Sequence, residues 1–184
     1  MAASLHLAAI LALSLLAAGA TANSGYTTPS PPPPPAPAAQ SSRVLVRVEG
    51  QVYCQSCAHR NSWSLGGDTP LPGAKVSVTC RDAKNRVVWW RLAVADRSGY
   101  FLAEFDVTEV SGFFEGDPRR ACYARLLASP DCGCNELTNI NLGIEGAPLR
   151  DEGKRWAGQG YENVVYAAGP LAFRPSKCPP KHPF

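Results

Sequence analysis

The sequence has little of what most enzymes and nucleic-acid-binding proteins require. Its 184 residues carry a formal net charge of only +3, and the lysines and arginines are scattered, which argues against nucleic acid as a partner. No GxSxG or HExxH motif occurs, and beyond the N-terminal apolar run the only histidines are His59 and His182. No orienting partner for His59 can be identified in the sequence, so serine or cysteine catalysis is not expected.

Clustered carboxylates are also scarce. One stretch gathers Glu104, Asp106, Glu109, Glu115 and Asp117, and glycoside hydrolysis needs two carboxylates at a set separation. Glu104 and Asp106 share the polar parity of a predicted strand, which is typical of a solvated face. No catalytic residue and no cofactor is therefore predicted, and a glycan-active enzyme is the least favoured function.

Long apolar runs are missing except near the N-terminus. Residues 7–18 are small or apolar, and Ala20-Thr21-Ala22 follows with the small-x-small pattern that signal peptidase accepts. The run is shorter than the ~20 residues that span a bilayer. We predict a signal peptide at residues 1–22 and a secreted protein without membrane contact after cleavage; an uncleaved membrane anchor is the competing interpretation.

A proline-rich arm follows the predicted signal peptide. Residues 27–40 read TTPSPPPPPAPAAQ, and because proline fixes φ and removes backbone donors, this segment is expected to be an extended polyproline II spacer. The predicted organisation is an arm at 23–42, one domain at 43–178 and a short tail at 179–184.

The domain itself has the alternating pattern of β-strands. In Arg43–Cys54 the valines fall on one parity and the charged residues on the other, which predicts a strand with one buried face. Five further segments are predicted as strands: Lys75–Cys80, Val87–Ala95, Gly99–Val107, Ala121–Ala128 and Val164–Phe173. No convincing amphipathic helix appears.

Turn residues separate these segments. Asp96–Gly99 is expected to join its flanking strands as a hairpin, whereas residues 129–162 are predicted to be a long irregular stretch. The predicted fold class is all-β, an antiparallel six- to seven-stranded sandwich or barrel with disulfides and long loops.

Seven cysteines are many for a domain of this size. In an oxidising compartment they favour three disulfides and one spare thiol. The alternative is a zinc site built from Cys54-x-x-Cys57 and Cys132-x-Cys134, since paired thiolates at short spacing bind metal in reducing compartments. Secretion disfavours the metal site.

Two strings carry a resemblance to a known family. VEGQVYCQSC at residues 48–57 and LPGAKVSVTC at 71–80 resemble the signature of the pollen Ole e I allergen and extensin family of plants, although Gln55 stands where an Asp is common. CNELTN at 134–139, NLGIEGAPL at 141–149 and GPLAFRP at 169–175 resemble its proline-rich, extensin-like branch. The resemblance implies a secreted all-β domain with three disulfides and no established catalytic residues.

The resemblance also implies a disulfide pairing. Its pairs would be Cys54–Cys134, Cys57–Cys178 and Cys80–Cys122, which leaves Cys132 as a departure from the pattern. Because Cys132 and Cys134 are two residues apart, either could pair with Cys54. The spare cysteine would then be a free thiol or the link in a disulfide-bonded dimer.

Exposed aromatic residues are the candidates for ligand binding, since sugar rings stack on aromatic faces. Trp63 and Trp156 lie in predicted loops and are the chosen candidates, with internal packing as the competing role. The adjacent Trp89 and Trp90 should point to opposite faces of their strand. Five basic residues could attract acidic pectin, unless they are scattered solvated charges: Arg119, Arg120, Arg150, Lys154 and Arg155.

The sequence therefore predicts a non-enzymatic, secreted protein of the plant cell wall. Its β-domain would present loops to wall polysaccharide or wall protein, and the arm would space or anchor it. The alternative is a soluble extracellular module for signalling or protein binding.

Overall fold

A computed structural model describes residues 43–109 and 116–180. The predicted signal peptide (1–22), the predicted proline-rich arm (23–42), Glu115 and residues 181–184 of the predicted tail lie outside the described residues.

The described chain consists mainly of strands, which confirms the predicted all-β class. Seven strands have seven or more residues and three are two-residue bridges. They are β1 (Arg43–Cys54), β2 (Thr69–Pro70), β3 (Lys75–Arg81), β4 (Val87–Val94), β5 (Tyr100–Asp106), β6 (Cys122–Ala128), β7 (Glu136–Leu137), β8 (Ala147–Pro148), β9 (Arg150–Gly158) and β10 (Tyr161–Arg174). Helix α1 spans Pro118–Ala121, and 3₁₀ turns span Cys57–His59, Val107–Glu109 and Ile140–Leu142.

The first sheet is organised around its two longest strands, β1 and β10, which pair with each other. On the far side of β1 lie β5 and, near the end of β1, β2. On the far side of β10 lie β9 and, near the end of β10, β7. The backbones of β1 and β10 approach closely at Gly50, where a Cβ would collide with the carbonyl of Ala168.

The pairing of β1 with β10 is parallel, which departs from the predicted antiparallel arrangement. Hydrophobic alternation specifies which face of a strand is buried but says little about its neighbour or its direction. Because parallel strands bring their C-terminal ends to the same edge of a sheet, the residues that follow β1 lie close to the end of β10.

The second sheet has the strand order β4-β3-β6-β8, with antiparallel pairing throughout. The turn at Asp96–Gly99 forms, with the Gly99 amide donating to the Asp96 carbonyl at 3.0 Å. The predicted hairpin is nevertheless wrong, since β4 belongs to the second sheet and β5 to the first. The turn instead carries the chain from one layer to the other.

The core contains the inward faces of both sheets. Val46, Val48 and Phe101 come from the first sheet, and Val76 and Val78 come from the second; all are buried. A Phe-to-Ala change at such a position typically costs about 3–5 kcal/mol, so this core accounts for much of the fold's stability.

Trp89 and Trp90 lie on opposite faces of β4, as predicted. The Trp89 ring packs against the core, with its centroid 4.5 Å from that of Phe105. Trp90 is 54% exposed.

The predicted irregular stretch 129–162 contains a nine-residue strand, β9. Nearly every side chain of this strand, RDEGKRWAG, is exposed. The sequence therefore lacks the alternation of apolar and polar residues that would predict a strand. The strand is held by pairing to β10. The first part of the stretch is irregular, apart from the short elements β7, β8 and the 3₁₀ turn.

Candidate functional site

A groove of about 330 Å³ opens beside the C-terminal ends of β1 and β10. Gln55 directly follows β1, and Arg174 ends β10. The groove is lined by Gln55, Asn61, Ser62, Trp63, Leu137, Thr138, Asn139, Ile140, Ile144 and Arg174. We call it the Trp63 groove. Its volume is in the range of small-molecule sites.

Gln55 is a buried polar residue of this groove and supports the loop that carries Trp63. Its Nε2 donates hydrogen bonds to the carbonyls of Ser62, at 3.1 Å, and Ser64, at 3.0 Å. These carbonyls flank Trp63 on both sides. A carboxylate at position 55 could not donate these bonds, so the departure from the family's Asp has a local structural reason.

Two disulfides fix the segments around the groove. Cys54 at the end of β1 is bonded to Cys134, which precedes the wall formed by residues 137–144. Cys57, in the turn before Trp63, is bonded to Cys178 beyond β10. The groove is therefore built from loops whose ends are covalently tied to each other.

The wall formed by residues 137–144 is ordered by hydrogen bonds. Thr138 Oγ1 donates to the carbonyl of Ala172 in β10 at 2.6 Å. Asn139 Oδ1 accepts from the amides of Ile144 and Glu145, each at 3.2 Å. These bonds hold the exposed Ile144 side chain at the groove.

Two arginines at the groove share one carboxylate, that of Glu136. Arg174 Nη2 donates to Glu136 Oε1 at 2.6 Å, and Arg60 Nη2 donates to Glu136 Oε2 at 3.4 Å. The hydrogen bond from Arg174 lowers the pKa of Glu136 below its ordinary value, against a smaller opposing effect of desolvation. Glu136 therefore stays ionised and bridges two arginines near neutral pH.

The groove combines an aromatic face, aliphatic side chains and polar groups. Trp63 is 73% exposed, and Leu137 and Ile144 are exposed beside it. Such a surface can stack on the apolar face of a sugar ring while amides meet its hydroxyls. Of these residues, sequence reasoning identified only Trp63.

The remaining members could not be recognised in the sequence. Arg174 and Glu136 become neighbours only through the pairing of β10 with β7. Gln55 did carry one signal, because it departs from the pattern of the family that the chain resembles.

Comparisons with known proteins give relatives in plants. Over 146 residues the chain is 30% identical to the non-classical arabinogalactan protein 30 of Arabidopsis thaliana, covering 75% of this chain and 56% of that protein. Over 109 residues it is 32% identical to the pistil-specific extensin-like protein of Nicotiana tabacum, covering 56% and 22%. No family model matches.

The fold has a solved counterpart. The crystal structure of the major plantain pollen allergen Pla l 1 superimposes with a TM-score of 0.51 at 22% identity, covering 75% of this chain and 99% of that one. The resemblance to the pollen Ole e I allergen and extensin family is thereby confirmed. The chain spans about half the length of the arabinogalactan protein, and none of these relatives is named as an enzyme. They fit a non-enzymatic extracellular protein.

The disulfides of the structure are the three pairs that this family resemblance implies: Cys54–Cys134, Cys57–Cys178 and Cys80–Cys122. Cys132 is an exposed thiol. The structure thus pairs Cys54 with Cys134 and uses three of the four cysteines of the zinc alternative in disulfides. No cluster of three or more metal-ligating side chains occurs in residues 43–109 and 116–180. A dimer linked through Cys132 stays a prediction.

Trp156, the second aromatic candidate, lies on strand β9 and not in a loop as predicted. It is 46% exposed, and the guanidinium of Arg47 lies 5.3 Å from its ring centroid. Trp156 pairs with Asn163 in the first part of β10, whereas the Trp63 groove is at the end of that strand. The structure does not bring the two tryptophans together.

His59 has an orienting partner, contrary to expectation. Its Nδ1 lies 3.3 Å from Asp68 Oδ1 and 3.3 Å from Ser56 Oγ. A hydrolytic triad uses the two different ring nitrogens for the carboxylate and the nucleophile. Here both contacts involve Nδ1, and Asp68 also accepts a bond from the Ser56 amide at 2.9 Å. These contacts link the two ends of the loop from Ser56 to Asp68.

The clustered carboxylates are engaged in separate ion pairs. Glu104 pairs with Arg47, and Asp117 pairs with Arg119. Asp106 is buried, contrary to the predicted solvated face, because it caps the turn after β5: its Oδ1 accepts the Thr108 amide at 2.8 Å, and its carboxylate pairs with Arg43. The Glu109 side chain and Glu115 lie outside the described part of the chain.

The basic residues considered for pectin are engaged in contacts within the domain. Arg119 pairs with Asp117, Arg155 with Asp151, and Lys154 with Glu49. Arg150 donates to the Gly169 carbonyl at 2.9 Å. Arg120 lies elsewhere, at a second groove beside the other sheet.

No helix among the described residues is long and apolar enough to span a membrane.

Proposed function

We propose that this protein is a non-enzymatic, secreted component of the plant cell wall whose β-domain binds a neutral wall polysaccharide in the Trp63 groove. The observation that carries the proposal is the largely exposed Trp63 indole on a loop braced by buried Gln55 and two disulfides. An aromatic platform held in place loses little conformational entropy when a ligand binds.

The balance of charge favours a neutral ligand. Glu136 pairs with both arginines next to the groove, which leaves a single net positive charge there, and the remaining lining residues are amides, hydroxyls and apolar side chains. The plant arabinogalactan and extensin-like relatives support the wall context. The predicted proline-rich arm would act as a spacer or anchor.

The test is binding of the secreted mature protein to immobilised xyloglucan and arabinogalactan. Trp63→Ala should weaken binding to the recognised polysaccharide about tenfold, as expected for a central aromatic contact. The matched control is Trp90→Ala, which removes another exposed indole from the second sheet. Unchanged binding by the Trp63 variant would overturn the assignment of the groove.

Wall association has its own test. Tissue extracted first with water and then with concentrated salt should retain the protein through the water step. Complete release by water would contradict wall attachment and favour the alternative of a soluble module that signals or binds proteins.

A further inference from the structure

The outer face of the second sheet contains a group of aromatic and basic side chains apart from the Trp63 groove. We propose that it binds an acidic polysaccharide, a polyuronate, whose carboxylates are held by Arg81 and Arg125 while Trp90 stacks on a sugar ring. We call this surface, comprising Arg81, Trp90, Tyr123 and Arg125, the arginine face. The proposal is independent of the Trp63 groove, because it concerns other residues and a negatively charged ligand instead of a neutral one.

Strand register places these residues on one side of the sheet. Trp90, Thr79 and Tyr123 form a row across β4, β3 and β6. Arg125 follows Tyr123 by two residues on β6, so it points the same way. The opposite face of β3 holds Val78 and Cys80 in the core, so the row faces away from the core.

The Arg81 guanidinium is oriented by neutral partners. Its Nε and Nη2 donate to the Tyr123 hydroxyl at 3.1 and 2.9 Å. Its Nη1 donates to Asn85 Oδ1 at 2.8 Å. These bonds fix the guanidinium without cancelling its charge.

The Arg125 guanidinium is held in a similar way. It lies 4.9 Å from the centroid of the Tyr123 ring, and its Nε donates to the Glu145 carbonyl at 2.7 Å. Neither Arg81 nor Arg125 forms an ion pair with a described carboxylate. Two oriented, uncompensated guanidinium groups on one tyrosine are suited to hold carboxylates.

A groove of about 390 Å³ lies between these arginines. Three arginines, one aspartate and Asn85 supply most of its polar lining. The aspartate, Asp82, is already engaged: its Oδ1 accepts from the amides of Lys84 and Arg86, and its Oδ2 pairs with the Arg86 side chain at 2.6 Å. Arg81 and Arg125 therefore supply positive charge that Asp82 does not offset.

Trp90 distinguishes a saccharide site from a simple patch of charge. Its indole is more than half exposed on β4, an outer strand of the sheet, beside the exposed Leu92 and Val94. Two strand spacings separate Trp90 from Tyr123, which is about 10 Å. A ligand that reaches both the indole and the arginines is therefore an extended chain with rings and carboxylates, as in a polyuronate.

The test measures binding of the secreted mature protein to polygalacturonate in low salt. Arg125→Gln should weaken binding roughly tenfold, as expected for a lost charge-assisted hydrogen bond. Arg97→Gln is the matched control, because Arg97 is an exposed arginine in the turn between β4 and β5, and it should change affinity less than twofold. An equal loss in both variants would overturn the site.

Trp90→Ala tests the saccharide contact. It should weaken binding of polygalacturonate several-fold and leave binding of polyglutamate, a polyanion without sugar rings, unchanged. Equal effects on both polymers, or none on either, would overturn the polyuronate assignment. The thermal unfolding midpoint of each variant reports whether the fold is intact.

Failure here is distinguishable from failure of the Trp63 groove. Trp63→Ala should leave polygalacturonate binding intact, and Arg125→Gln should leave binding of neutral polysaccharide intact.

Discussion

The Trp63 groove and the arginine face differ in how their arginines are balanced. At the groove, Arg60 and Arg174 share the carboxylate of Glu136. On the face, Arg81 and Arg125 are held by a hydroxyl, an amide, a carbonyl and an aromatic ring. Residue type alone therefore does not predict the charge of a ligand, because the partner of each arginine decides whether its charge is available.

The two regions also differ in construction. The groove is made of loops tied by Cys54–Cys134 and Cys57–Cys178. The arginine face is made of regular strands, and the buried Cys80–Cys122 bond joins β3 to β6 beneath it. Changes to the loops should therefore damage the groove first and leave the face in place.

The largest effect is expected from removing a groove disulfide. The double variant Cys54→Ser/Cys134→Ser opens a link that spans 80 residues, which the chain-entropy model values at about 4–5 kcal/mol. Urea unfolding should show a fall in the free energy of unfolding of up to that size, with loss of neutral-polysaccharide binding. Cys132→Ser, which removes the exposed thiol, is the control and should change neither; a similar loss in this control would contradict the assigned pairing.

A smaller effect is expected from Gln55→Glu. The substitution removes the two hydrogen bonds to the loop of Trp63 and buries a carboxyl group, which should cost about 2 kcal/mol. Binding in the groove should weaken while polygalacturonate binding stays the same. Gln159→Glu, at an exposed turn residue, is the control. If Gln55→Glu bound neutral polysaccharide normally, the loop would not depend on Gln55.

Acid should affect the groove only below the ordinary pKa of glutamate. Arg174 lowers the pKa of Glu136 in the folded protein, so the unfolded chain takes up the proton first. The stabilisation from Glu136 is then present above about pH 4.5 and is lost as pH falls through the lower folded pKa. Neutral-polysaccharide binding, followed by titration calorimetry, should be constant from pH 7 to 5 and decline only below the ordinary glutamate pKa of 4.5.

Glu136→Gln sharpens this prediction. It should weaken groove binding already at pH 7 and abolish the acid-induced decline. A decline that persists in this variant would assign the pH dependence to another group.

The smallest effect is expected from salt, which should weaken binding at the arginine face more than binding in the Trp63 groove. Raising NaCl from about 50 to about 500 mM shortens the screening length, so polygalacturonate binding should weaken several-fold. Binding in the Trp63 groove should change little. Equal salt sensitivity at both regions would remove the electrostatic distinction between them.

The fold class and most of the strand positions could be predicted from the sequence, whereas most residues of the two sites could not. Strand β1 matches its predicted bounds, because one of its faces is apolar and the other polar. Strand β9 was missed because it exposes nearly all its side chains, and the parallel partner of β1 was missed because alternation carries no information on neighbours.

Most of the site residues could not be predicted from the sequence, for a related reason. Trp63 could be chosen as a loop aromatic, but Glu136 meets Arg174 only through strand pairing. Arg81 likewise reaches Tyr123 across 42 residues of sequence, and Arg125 reaches the Glu145 carbonyl across 20. Trp156 looked equivalent to Trp63 in the sequence, yet it lies on a strand with Arg47 close to its ring.

The most direct test of the two-region account uses the four tryptophans as reporters. Indole N–H signals of the ¹⁵N-labelled mature protein would be followed by NMR during titration with a neutral xyloglucan or arabinogalactan oligosaccharide, and then with oligogalacturonate. We expect the neutral ligand to shift the Trp63 signal and the acidic ligand to shift the Trp90 signal, with the Trp89 and Trp156 signals unaffected. Movement of Trp63 and Trp90 together with either ligand, or of neither with both, would contradict it.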